Sequence, residues 1–204
     1  MRSGRTLSAM LIIAALALFS VASFAEGPQQ PSPEEMQKMM EQWQKISTPG
    51  APHAALAKMA GDWTYKMKMW MDPKAPPSES EGTSKGTMLL DGRYLQTDNQ
   101  GNMMGMPFHG IGTMGYDNFR ERFQFTWIDN FGTVITVAEG KGDEGYKTIT
   151  FDGKMDEPMT GEKDKAFRYV YRILDDNHFT MEGFDLVGTP QEFRVMELTC
   201  TKKQ

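Results

Sequence analysis

Trp63-Thr64-Tyr65-Lys66-Met67-Lys68-Met69 alternates large apolar and polar side chains without a break. Successive side chains of a β-strand point to opposite faces. Trp63, Tyr65, Met67 and Met69, with Met71 beyond them, therefore share one face, and Thr64, Lys66 and Lys68 take the other. Such a strand buries one side and wets the other. The prolines of Asp72-Pro73-Lys74-Ala75-Pro76-Pro77 supply no ladder donors, so the strand ends there.

The same period continues downstream. A hairpin is expected from about Glu79 to Leu90 and from Arg93 to Asn99, around an Asp91-Gly92 turn that favours positive φ. The glycine-rich run Gly101–Pro107 reads as a loop leading into a strand from Phe108 to Tyr116. Phe123, Phe125 and Trp127 line one face of the next strand, Ile135 and Val137 one face of another, and Ile149 and Phe151 one face of a third. Alternating runs cover Phe167–Leu174, Phe179–Val187 and Glu192–Lys202, separated by Asp175-Asp176-Asn177 and Gly188-Thr189-Pro190. About ten strands joined by short loops leave no room for crossover helices, so pairing is antiparallel. Closing the meander removes two exposed edges and encloses the apolar face. The expected fold is thus all-β, a closed antiparallel up-and-down barrel of about ten strands with a short N-terminal helical leader. A β-sandwich is the alternative that strand spacing alone leaves open.

Upstream, Ser32 stands three residues before Glu35 with Pro33 between them, the pattern of a capping box opening a helix. Met36, Met39, Met40, Trp43 and Ile46 then form one stripe, and Thr48-Pro49-Gly50-Ala51-Pro52 stops the helix. A second short helix is expected from about Ala54 to Met59. Residues 26–33 are rich in Pro, Gln and Ser and read as linker. Before them, Arg2 and Arg5, an apolar stretch from Leu7 to Phe19 and the small-residue site Ser23-Phe24-Ala25 read as a cleaved signal peptide. The expected division is therefore 1–25 signal peptide, 26–52 linker and amphipathic helix, and 53–204 barrel, exported to the periplasm or secreted, with no membrane insertion after cleavage.

The chain of 204 residues carries a net charge of −5, and loss of Arg2 and Arg5 leaves the remainder more acidic still. Such a surface repels phosphate backbones, which argues against a nucleic-acid partner. Cys200 is the single cysteine, so no intramolecular disulfide can form, and the cleavage site lacks the cysteine of a lipid anchor.

Gly61-Asp62-Trp63, a Gly-x-Trp opening the first strand after a short helical turn, resembles the lipocalin and wider calycin pattern. That resemblance implies a tryptophan closing one barrel end and stacking on an arginine of the last strand, for which Arg194 is the match. A longer likeness covers most of the chain after the leader. Leu56–Trp63, Gly110–Asp117, Trp127-Ile128-Asp129 and Met196-Glu197-Leu198 resemble the exported bacterial family catalogued as domain of unknown function 1579. It implies a calycin-like barrel and lends no activity or catalytic residues.

A barrel of this size either fills with side chains or holds one small ligand. If Trp63 faces inward, so do Tyr65, Met67 and Met69, and the faces carrying Tyr116, Phe123, Phe125, Trp127, Phe167, Tyr169 and Tyr171 join them. An apolar lumen with a few hydroxyls suits an apolar or amphipathic small molecule. In the second reading the rings are simply core, and the barrel is a structural or interaction protein of the cell envelope. A third starts from the 18 methionines. Thioethers suit Cu(I), and Met103, Met104 and Met106, near His109, are its candidate ligands. The fourth reading is an enzyme of unknown type. Nucleophile elbows, phosphate-binding glycine loops and zinc-ligand spacings are absent from the sequence, no cofactor is indicated, and Asp117 with Asp129 is the one carboxylate pair worth placing in space.

Overall fold

The computed structural model describes residues 31–158 and 160–204. The signal-peptide reading, with the start of the linker, lies outside the described residues. Two helices, α1 (Pro33–Ser47) and α2 (Ala51–Ala57), precede ten strands. These are β1 (Gly61–Met69), β2 (Ser78–Leu89), β3 (Tyr94–Met103), β4 (Met106–Asp117) and β5 (Arg122–Asp129). After them come β6 (Thr136–Gly142), β7 (Thr148–Glu157), β8 (Glu162–Ile173), β9 (His178–Asp185) and β10 (Phe193–Lys202). Every strand pairs antiparallel with its sequence neighbours, and β1 pairs with β10, so the sheet is a closed up-and-down barrel and not a sandwich. Among the described residues no helix is long and apolar enough to cross a membrane.

The capping box at α1 forms as expected: Ser32 N–H donates to Glu35 at 2.8 Å and Glu35 N–H to Ser32 Oγ at 3.2 Å. The expected start of α2 is three residues late. Pro52 belongs to its first turn, where proline's missing N–H is harmless, so the segment that ends α1 also opens α2. Residues 40–204 form one compact unit, which holds α2 and the barrel. There α2 buries Ala55 and Leu56 against one barrel end together with Met59. Trp63 closes that end, donating from Nε1 to the Met59 carbonyl at 3.0 Å and meeting Phe179 edge-on. Gly61 stands at φ +120°, a region that disfavours any side chain.

The cation over Trp63 is Lys202, 5.4 Å from the ring centre, and not Arg194. Lys202 is the register partner of Trp63. Arg194 lies eight residues earlier in β10, about 25 Å away along an extended strand, and sits over Trp70 at 4.7 Å. The expectation for β6 also changes. Val137 faces outward and is 56% exposed, as is Ile135 at 68%. Inward positions of β6 are Ala138, Gly140 and Gly142; a side chain at Gly140 would meet the Thr150 carbonyl and the Phe151 ring, and one at Gly142 the Tyr146 and Phe123 rings. Met71 lies past the end of β1 and is exposed.

His53 in α2 is buried and accepts a hydrogen bond from Gly50 N–H at Nδ1 (3.0 Å). Burial, with Arg93 nearby, holds its pKa below the ordinary value against the opposing hydrogen bond to the Tyr116 backbone. A histidine kept neutral in the fold contributes stability that is complete above its unfolded pKa of about 6.5 and is lost as pH falls through the lower folded value. Wild type should therefore lose stability through this group as pH falls from 7.5 to 5. Thermal melts of His53→Asn across that range should show a shallower slope; an unchanged slope removes His53 as its source.

Candidate functional site

The lumen opens at the end opposite α2. An inner chamber of about 220 Å³ is lined by Tyr65, Met67, Asn99, Met103, Phe108, Phe125, Trp127, Asp129, Phe131, Tyr169, Tyr171, Met181, Met196 and Leu198. A small extension of about 60 Å³ runs from it towards the closed end, beside Met114, Phe179 and Cys200. An outer chamber of about 510 Å³ at the rim shares Tyr169 and Met196 with the inner one and adds Met69, Met155, Lys165, Phe167, Asp185 and Phe193. The barrel is therefore neither filled nor wide open.

Of the residues assigned to the lumen from sequence, Tyr65, Met67, Phe125, Trp127, Tyr169 and Tyr171 line the inner chamber and Met69 the outer. Trp63, Tyr116 and Phe123 face inward but pack in the closed-end core, where Tyr116 meets both Phe123 and Tyr146. Missed were Asn99, Phe108, Phe131, Met181, Met196 and Leu198, and the charged pair Lys165–Asp185.

Glycines make room for the lumen's large side chains. A Cβ on Gly82 or Gly101 would stand 2.4 Å from the Tyr65 hydroxyl. Gly101 is therefore a strand residue rather than part of a loop, and the turn that follows is only Met104-Gly105, both at positive φ, as a two-residue hairpin requires. Trp127 lies over Gly110 and its register partner Gly112. A Cβ on Gly110 would meet the Trp127 ring at 2.2 Å, so Gly110→Val should force the indole into the chamber. The expected result is a shifted tryptophan emission and at least tenfold weaker uptake of apolar probes; an unchanged spectrum with unchanged uptake contradicts this placement.

Asp129 is inward and half-buried, with Oδ2 accepting from Trp127 Nε1 at 2.8 Å and Oδ1 from Phe131 N–H at 2.9 Å. The pairing with Asp117 does not exist. Asp117 sits opposite Arg122 at one end of the β4–β5 hairpin and Asp129 opposite Gly110 at the other. Asp117 instead caps a turn, accepting from Phe119 and Arg120 N–H.

Burial, with the Asp129 charge adding to it, pushes the Tyr169 phenol up to about 12, and burial raises Tyr171 as well. Both remain O–H donors at any physiological pH. Cys200 is buried and its thiol is pushed up to about 12, so it stays protonated. A thiol in that state is no nucleophile. At the rim, Lys165 Nζ lies 2.6 Å from Asp185, and that hydrogen bond raises the lysine pKa.

Of the Cu(I) candidates, the structure pairs Met103 with Met106 and sets Met104 and His109 apart from them. Met103 and Met106 are register partners on the inner face and Met104 occupies the exposed turn. His109 faces the outside, bonded to Asp98 at 3.1 Å. Among the described residues no group of three or more His, Cys, Asp or Glu could hold a metal ion.

No curated protein matches the sequence. Solved structures share the barrel, and two of them are these. Rv2717c from M. tuberculosis superposes with a TM-score of 0.56 at 15% identity, over 77% of this chain and 100% of that one. The S-type phycobiliprotein lyase CPES from Guillardia theta gives 0.55 at 10% identity, over 76% and 94%. At such identities the likeness concerns the fold alone. The sequence itself matches a family profile described as "Protein of unknown function (DUF1579)" over residues 48–202, which takes in α2 and every strand. The chain thus belongs to the DUF1579 family, and its lumen is that of a DUF1579 barrel.

Proposed function

We propose that this protein binds a small apolar or amphipathic molecule in its barrel lumen. The observation that carries the reading is the inner chamber itself. Close packing leaves few voids larger than a water molecule in a protein interior. Here a space of about 220 Å³ persists among tyrosines, a tryptophan and methionine thioethers. Apolar walls with a few oriented polar groups are what small-molecule sites generally offer. Methionine side chains adapt to irregular guests. One structural neighbour is by name a phycobiliprotein lyase, which is in keeping with a calycin-like barrel that handles a small molecule.

Titration with the neutral fluorophore N-phenyl-1-naphthylamine tests the reading. Saturable 1:1 uptake, with enhanced emission, is expected. Absence of saturable uptake would contradict it and favour a second reading, in which the exposed stripe of Met36, Met39, Met40 and Trp43 on α1 serves a partner protein.

We also infer export, from Arg2, Arg5, the apolar run and Ser23-Phe24-Ala25. N-terminal sequencing of protein from its native host should begin at Glu26; a retained Met1 argues against export by this route.

A further inference from the structure

Within the lumen-binding reading, on which this inference rests, we propose that the inner chamber selects guests carrying an ammonium or other organic cation, seated at Asp129. Among the described residues Asp129 is the one charged residue lining that chamber. Its two oxygens are held by the Trp127 indole and the Phe131 amide, at 2.8 and 2.9 Å. A carboxylate oxygen can accept more than one hydrogen bond, so both retain capacity for a donor on a guest.

The rings around it have the matching electrostatics. Phe108 lies nearly parallel to Trp127 (centroids 6.2 Å apart, 18°) and to Phe131 (5.7 Å, 16°). Aromatic faces attract cations, most strongly where water is excluded. An anion entering here would meet a fixed negative charge and negative ring faces. Tyr169 and Tyr171 line the same chamber, and their hydroxyls suit a polar atom elsewhere on the guest. The outer chamber does not reverse this sign. It adds Glu157, Asp185 and Lys165, and the lysine ammonium is bonded to Asp185.

Calorimetric titration of the full chain with octylammonium, octanol and octanoate at pH 7 tests the proposal, since the three probes share a tail and differ in charge. Octylammonium should bind at least tenfold more tightly than octanoate, with octanol between them. Asp129→Asn should bring octylammonium to within about twofold of octanol, the two affinities being compared within that variant. Phe131→Leu removes a ring but keeps the backbone donor to Asp129, so it should lower octylammonium affinity severalfold more than it lowers octanol affinity. Octanoate binding as tightly as octylammonium would overturn the cation preference and leave lumen binding standing. Failure of all three probes would overturn lumen binding itself, and this inference with it.

Discussion

Phe151→Ala should destabilise the barrel by about 3–5 kcal/mol, the range for removing a fully buried phenylalanine. Phe151 is 0% exposed and lies at the centre of the aromatic core. Its ring contacts Phe125, Phe123 and Tyr171 at centroid distances of 5.5, 6.3 and 5.9 Å. At Gly140, its register partner on β6, a Cβ would stand 2.4 Å from the Thr150 carbonyl oxygen and 2.8 Å from the Phe151 ring. Strands on both sides are thus fitted to this side chain, and neither can move in to fill the cavity without breaking its ladder. A loss of this size should lower the melting temperature by about 10 °C for a domain of this length. A loss below about 1 kcal/mol in denaturant titrations would mean that the site collapses freely, contrary to the packing described.

Met67→Trp should have the opposite profile, with small cost in stability and near-complete loss of binding. Met67 is 8% exposed and points into the inner chamber. Filling a close-packed core usually costs about 1–3 kcal/mol through strain, but here the added indole has empty space to enter. Stability should therefore change by less than about 1.5 kcal/mol. Uptake of N-phenyl-1-naphthylamine should weaken at least a hundredfold, because guest and indole compete for the same volume. Wild-type affinity in a folded Met67→Trp variant would place the guest elsewhere, on the exposed surface or in the outer chamber.

Much of this architecture was legible in the residues because alternation is a local property. Trp63 to Met69 reveals its inward face directly, and the turn chemistry of Asp91-Gly92 marks a hairpin whatever surrounds it. Closure followed from the strand count and the short loops. The site was harder to read. Asp129 was legible only as a candidate partner of Asp117, whereas the β4–β5 register sets it opposite Gly110, on the face that carries Trp127. Lys165 sits in Glu162-Lys163-Asp164-Lys165, where every residue is charged and polarity cannot distinguish inside from outside. The available signal was parity, since Lys165 is two residues before the inward Phe167. The same step from Leu95 through Thr97 reaches Asn99, and from Cys200 it reaches Leu198 and Met196. Ile135 and Val137 misled because the inward positions beside them are small, a choice dictated by rings on neighbouring strands.

Lys202 taking the place expected for Arg194 has the same origin. The resemblance supplied a residue type, whereas register decides which residue of the last strand reaches Trp63. Arg194, nearer the rim, instead joins Glu182 and Glu197 on the outer face beside Trp70.

Native mass spectrometry of the protein purified from its native host, followed by solvent extraction, tests lumen binding without presupposing the guest. A stoichiometric apolar or amphipathic adduct, present in wild type and absent from Met67→Trp, is the expected result. A bare mass for wild type, together with no saturable probe uptake, would contradict the account.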